Sequence, residues 1–164
     1  MKRATRASLT CTTVAVILGL GAAYAQQTFE STACRAGTMT VLAKAEDMIV
    51  WSVDLRGVIR GNAPNNPFDG NTQRCVGVVA NIAGKTSANG WCKNVGPKND
   101  DWYVLDWVAS DKPGHGTFTY RYGAGKWKGI TGGGSYEPAG QTTPVEPGTF
   151  QNCVSVKGTA RIPG

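Results

Sequence analysis

Residues 73–93 read QRCVGVVANIAGKTSANGWCK. The left half is rich in Val and Ile, the right half ends in an aromatic and a cysteine, and Ala83-Gly84 sits between them as a two-residue turn. That composition favours strands over a helix. If 73–82 and 85–93 are adjacent antiparallel strands turning at Ala83-Gly84, residues whose numbers sum to 167 face each other. Cys75 and Cys92 meet that condition, so the register predicts a cross-strand disulfide.

A disulfide needs an oxidising compartment, and the start of the chain supplies the route to one. Lys2, Arg3 and Arg6 precede an apolar run over 9–23 (LTCTTVAVILGLGAA), which ends in Ala23-Tyr24-Ala25 ahead of Gln26. A basic segment, a short apolar segment and an A-x-A site in this order read as a cleaved signal peptide over 1–25, leaving one domain over 26–164. The apolar run is shorter than the roughly 20 residues of a membrane-spanning helix, so the expectation is a periplasmic or secreted protein without integral membrane association. Removal of Cys11 with the signal leaves Cys34, Cys75, Cys92 and Cys153. With Cys75 joined to Cys92, Cys34 and Cys153 pair and tie the two ends of the chain together. A zinc site is disfavoured, because there is no C-x-x-C spacing and the one histidine is His115.

The full chain carries a net charge of +6; without Lys2, Arg3 and Arg6 the balance is 14 basic against 11 acidic residues, or +3. These charges form no run or stripe, which argues against nucleic acid or an anionic membrane surface as partner.

Outward from the hairpin, the same punctuation continues: 22 Gly and 8 Pro separate short segments rich in Val, Ile, Thr, Trp and Tyr. Strands are predicted over 38–44, 48–58, 101–109, 116–122 and 126–130, with a last strand or strand pair over 149–162 and a glycine-rich segment over 131–136. Long loops are predicted over 61–72 (GNAPNNPFDGNT) and 137–148, where Pro, Asn and Gly interrupt any regular ladder. About eight strands and no amphipathic helix predict an all-β fold, a single antiparallel β-barrel, since closure at that number removes exposed edges. A two-sheet sandwich uses the same strands and is the competing architecture.

Residues 114–136 read GHGTFTYRYGAGKWKGITGGGSY. The placement of Gly116, Phe118, Gly123, Gly125, Lys126, Trp127, Gly129, Ile130, Gly132, Gly134 and Tyr136 resembles a phrase of small secreted barrels of the calycin-like and dirigent or allene-oxide-cyclase-like type. It is also similar to exported proteobacterial proteins that carry the phrase after a Cys-bearing strand pair. The resemblance implies a barrel; a cyclase or isomerase acting in an internal cavity would follow from fold analogy alone. No pocket residue of the cyclases has a counterpart in the phrase, so it implies fold and not activity. The glycines serve a strand-turn-strand corner, Gly123 and Gly125 by allowing positive φ. A phosphate loop is excluded, because Lys126 is followed by Trp127 and not by Ser or Thr opening a helix.

Candidate site residues are few. His115 between two glycines reads as a turn histidine without a located partner. Asp100-Asp101 offers too few oxygens for calcium. Asp54 and Asp106 lie inside apolar strands, which is costly for an ionised carboxylate unless it is paired. Asp54 shares a face with Arg56, which predicts an ion pair; the sharper expectation is that Asp54 or Asp106 points into a barrel cavity. Trp51, Trp91, Trp102, Trp107 and Trp127 with Tyr103, Tyr120, Tyr122 and Tyr136 form a large aromatic set, expected to fill the barrel, to line an open apolar cavity, or to form an aromatic rim for a small molecule or glycan.

From these, Trp51, Asp54, Trp102, Asp106, Trp107 and Tyr120 are the expected ligand-binding residues, with no catalytic set, no metal and no cofactor. The expected function is non-enzymatic binding of a small apolar or aromatic ligand, or of an envelope partner. A barrel cyclase or isomerase is one alternative, and a structural or inhibitory surface protein acting through its long loops is another.

Overall fold

The computed structural model describes residues 26–98, 100–141 and 143–163; the signal-peptide reading of 1–25 lies outside the described residues. Eight strands follow one another: β1 (Gln27–Lys44), β2 (Met48–Gly61), β3 (Thr72–Ile82), β4 (Lys85–Val95), β5 (Trp102–Ala109), β6 (Gly116–Ala124), β7 (Thr131–Gln141) and β8 (Thr149–Arg161). Each pairs antiparallel with the next, and β8 pairs with β1, closing the barrel. Closure satisfies the backbone groups an open edge would expose, and the sandwich alternative is thereby overturned.

The β3–β4 register is the one read from the sequence, with Ile82 opposite Lys85 and Cys75 opposite Cys92. Ala83 (φ 49°) and Gly84 (φ 77°) are both left-handed, the geometry of the two-residue hairpin turn whose twist matches its strands. Both expected disulfides are present, Cys75–Cys92 and Cys34–Cys153. They sit on opposite sides of the wall. Cys75 and Cys92 point inward and are 0% and 2% exposed, whereas Cys34 is exposed on the outer face, where its bond to Cys153 staples the closing strands.

Three boundaries differ from expectation. The first strand begins at Gln27 and not at 38, because pairing with both β2 and β8 orders a segment whose own alternation is faint. Residues 126–130 are not a strand: Gly125–Trp127 is a single 3-10 turn that carries Trp127 into the interior. The glycine-rich strand continues through Pro138 to Gln141, with a register shift between Pro138 and Gly140 that tolerates the proline's missing N–H. The loop expected from 137 therefore begins after Gln141. At Gly123, proximity and not positive φ demands glycine, since a Cβ there would run into the Trp127 backbone carbonyl.

The loop expected over 61–72 does more than join two strands. Between β2 and β3 the chain turns inward and buries Phe68 (1% exposed). Phe68 stacks on Tyr120 and Trp127 at 5.7 and 5.1 Å, and Tyr103 meets it edge-on at 5.6 Å. Asn66 holds the loop in place: its Nδ2 donates to the Glu30 carbonyl at 2.7 Å, and its Oδ1 accepts from the Phe68 N–H at 2.9 Å. With Phe29 added, this aromatic cluster plugs one end of the barrel. Each such side chain contributes on the order of 1.5–3 kcal/mol of burial, which is why so short a chain spends its aromatics here.

Candidate ligand cavity

Period-two alternation aims one face of every strand at the barrel axis. Beyond the plug, inward side chains leave a cavity of about 300 Å³. Its wall is mainly apolar, with Val53 and Leu55 from β2, Leu105 and Trp107 from β5, Phe118 from β6, and Val154 and Val156 from β8. The lining reaches the barrel end formed by the β3–β4 and β5–β6 connections, where Thr86, Gly114 and His115 take part. Small residues make the room: Trp107 lies across the facing pair Gly77 and Gly90, and a Cβ on either would sit 2.5 or 2.6 Å from its ring.

Polar groups on this wall are few. Arg35 of β1 is the one Lys, Arg, Asp or Glu among the lining residues. It keeps some exposure as a residue, but its Nε is shut off from solvent and has no hydrogen-bond partner. Its Nη1 points at the Cys75 sulfur at 3.9 Å. Burial holds the Arg35 pKa below the usual guanidinium value, with the nearby Tyr136 acting in the opposite sense. Gln73 Oε1, Asn152 Oδ1 and Trp107 Nε1 are also buried without partners, and all three residues line the cavity. At the plug, Asn71 Nδ2 donates to the Tyr103 hydroxyl at 3.5 Å, and burial pushes the Tyr103 and Tyr120 phenols far above their ordinary value. His115 donates from Nδ1 to the Pro113 carbonyl at 2.9 Å, which fixes the tautomer when the ring is neutral.

Of the six residues expected to bind ligand, Trp107 and Tyr120 line the cavity. Trp51 takes an inward register position opposite Val41 and Val79, half-buried and outside the lining set. The other three are on the outer face. Asp54 accepts a two-pronged bond from Arg74 Nε and Nη2 at 3.0 and 2.8 Å, with Arg56 at 3.7 Å. The Arg74 hydrogen bonds hold its carboxyl below the usual range. Asp106 accepts from Arg121 Nη2 at 2.6 Å. Trp102 packs on Tyr122 at 5.4 Å under Lys93. Asp54, Asp106 and Trp102 therefore do not face the cavity, because strand alternation turns each outward. Asp101, weighed as a cation ligand, accepts from the Lys126 N–H at 2.9 Å and braces the 3-10 turn.

Arg35, Gln73, Asn152, Phe118 and Phe68 escaped the sequence reading. The signal available for Arg35 was its spacing from Phe29, which places both on one face once residues 27–37 are recognised as a strand.

Fold and cavity together define a closed, eight-stranded antiparallel barrel with a plugged end and an apolar interior. Among solved structures, the chain is similar to the pterocarpan synthase dirigent protein GePTS1, with a TM-score of 0.51 at 10% identity over 92% of this chain and 98% of that one. At that identity the likeness concerns fold alone, and it agrees with the dirigent-like part of the resemblance carried by residues 114–136. No protein-family model and no curated protein sequence matches the chain.

Proposed function

We propose that this protein is a periplasmic or secreted binder of a small, predominantly apolar molecule, held inside the barrel without catalytic conversion. The observation that carries the reading is the cavity itself: about 300 Å³ of mainly apolar space in a barrel whose other end is filled with aromatic rings. A pocket of this size and lining suits a small organic ligand. Two disulfides favour an oxidising compartment, and among the described residues no helix is long and apolar enough to cross a membrane.

The alternatives fare less well. A cyclase or isomerase working through Asp54 or Asp106 lacks its acid, because both carboxylates are paired to arginines on the outer face. A surface role for the 61–72 loop is disfavoured by the burial of Phe68. The test is titration with the fluorescent apolar probe 1-aminoanthracene. Saturable one-to-one binding is expected, and Leu55→Trp, which fills the cavity from β2, should abolish it. Absence of saturable binding, or full binding by a folded Leu55→Trp variant, would remove the reading.

A further inference from the structure

Around Arg35 the cavity wall is organised into a polar row. Asn152 of β8 lies directly opposite Arg35 on one side, and Gly57 of β2 lies opposite it on the other. Gln73 of β3 is opposite Gly57, so a position without a side chain separates Arg35 from Gln73. Gln73 in turn donates from Nε2 to Asn94 Oδ1 at 2.8 Å. The row therefore holds one permanent cation with an unused donor, Arg35 Nε, flanked by two unused acceptors, Gln73 Oε1 and Asn152 Oδ1. Elsewhere the wall is mainly hydrocarbon and aromatic.

A guanidinium cannot shed its proton to escape burial, and a planar fork in an apolar site is the group best suited to a carboxylate. Taking that charge out of water is unfavourable unless a counter-charge accompanies it. No such partner comes from the described residues: the lining contains no Asp or Glu, and Arg35 takes part in none of the ion pairs among them. The sulfur of Cys75, its hydrogen-bonding neighbour among the described residues, is a weak acceptor.

We propose, resting on the binding reading above, that the ligand is an amphipathic organic anion whose carboxylate pairs with Arg35 while its apolar body lies along Leu55, Phe118 and Val154. Gln73 and Asn152 serve a hydroxyl of the ligand or waters that accompany the carboxylate.

The test compares octanoate, octanol and octylammonium, which share one apolar body and differ in head charge, by calorimetry at neutral pH and low salt. Octanoate is expected to bind about tenfold or more tightly than octanol, with octylammonium weakest, as a charge-assisted pair in an apolar site implies. Arg35→Met should erase that preference by weakening octanoate. Arg35→Lys, which keeps the charge, should retain part of it; if Arg35→Met fails to fold, this variant and the native protein carry the comparison. Octanol binding as well as octanoate to the native protein would overturn the proposal, as would a preference that survives in folded Arg35→Met. Binding of 1-aminoanthracene without any advantage for octanoate would leave the cavity reading standing and remove this inference alone, whereas no binding of any probe would remove both.

Discussion

Replacing Cys34 and Cys153 together by alanine removes the bond that joins β1 to β8, and its cost can be worked from the chain. The two cysteines are 119 residues apart, whereas Cys75 and Cys92 are 17 apart. On the chain-entropy account, closing the longer loop restricts the unfolded state by about 4.9 kcal/mol and the shorter by about 3.1 kcal/mol. Cys34 is exposed, so its removal leaves little void, and the loss is nearly all unfolded-state entropy. With an unfolding entropy of about 2.1 cal/mol/K per residue, a barrel of this length should lose roughly 17 °C in melting temperature. Far-UV circular dichroism should be unchanged at 20 °C, since the β1–β8 ladder persists from Gln27–Ala160 to Thr38–Thr149. Thermal melts of the double variant and the parent supply the number. A shift under 5 °C would mean that the outer bridge does not restrict the unfolded chain in this way. Mild dithiothreitol under native conditions should likewise expose Cys34 and Cys153 to alkylation first, leaving the buried inner pair intact.

Ala83→Asn should stabilise the protein by about 0.5–1 kcal/mol in urea melts, because Ala83 sits at φ 49° where asparagine is better tolerated. Phe68→Ala should cost about 3–5 kcal/mol by the same assay and loosen the plug, seen as faster amide exchange over the 62–71 loop. On alkaline titration followed by phenolate absorbance, Tyr103 and Tyr120 should stay protonated past pH 10 and ionise only on unfolding. Their raised folded values stabilise the barrel below the ordinary phenol value of about 10, and that contribution is lost as pH climbs from there toward the folded values. Smooth ionisation of every tyrosine near pH 10 without unfolding would contradict this.

The hairpin of residues 73–93 was legible because a two-residue turn leaves a single register, and register alone pairs Cys75 with Cys92. The outer bridge followed by elimination. The first half of β1 was not legible, since its inward residues Phe29, Ser31, Ala33 and Arg35 are no more apolar on average than a polar surface face. With that strand unseen, Arg35 could not be placed. On β5 both faces are apolar, so alternation could separate Trp102 from Trp107 but could not say which faces inward; the barrel's closure decides for Trp107. Asp54 was read against Arg56 on its own strand, while its closer partner, Arg74, comes from the neighbouring strand and becomes visible only through β2–β3 pairing. The plug was hidden for another reason: a Pro- and Asn-rich loop gives no periodic sign that its one aromatic, Phe68, turns inward.

Methyl-resolved NMR of the protein titrated with octanol distinguishes interior from surface most directly. Saturating shifts and intermolecular contacts are expected at Val53, Leu55, Val154 and Val156, which line the cavity, with Val76 and Val78 on the outer face unmoved. Contacts confined to Val76 and Val78, or no saturable shift at the four inner methyl groups, would contradict an interior built to hold a ligand.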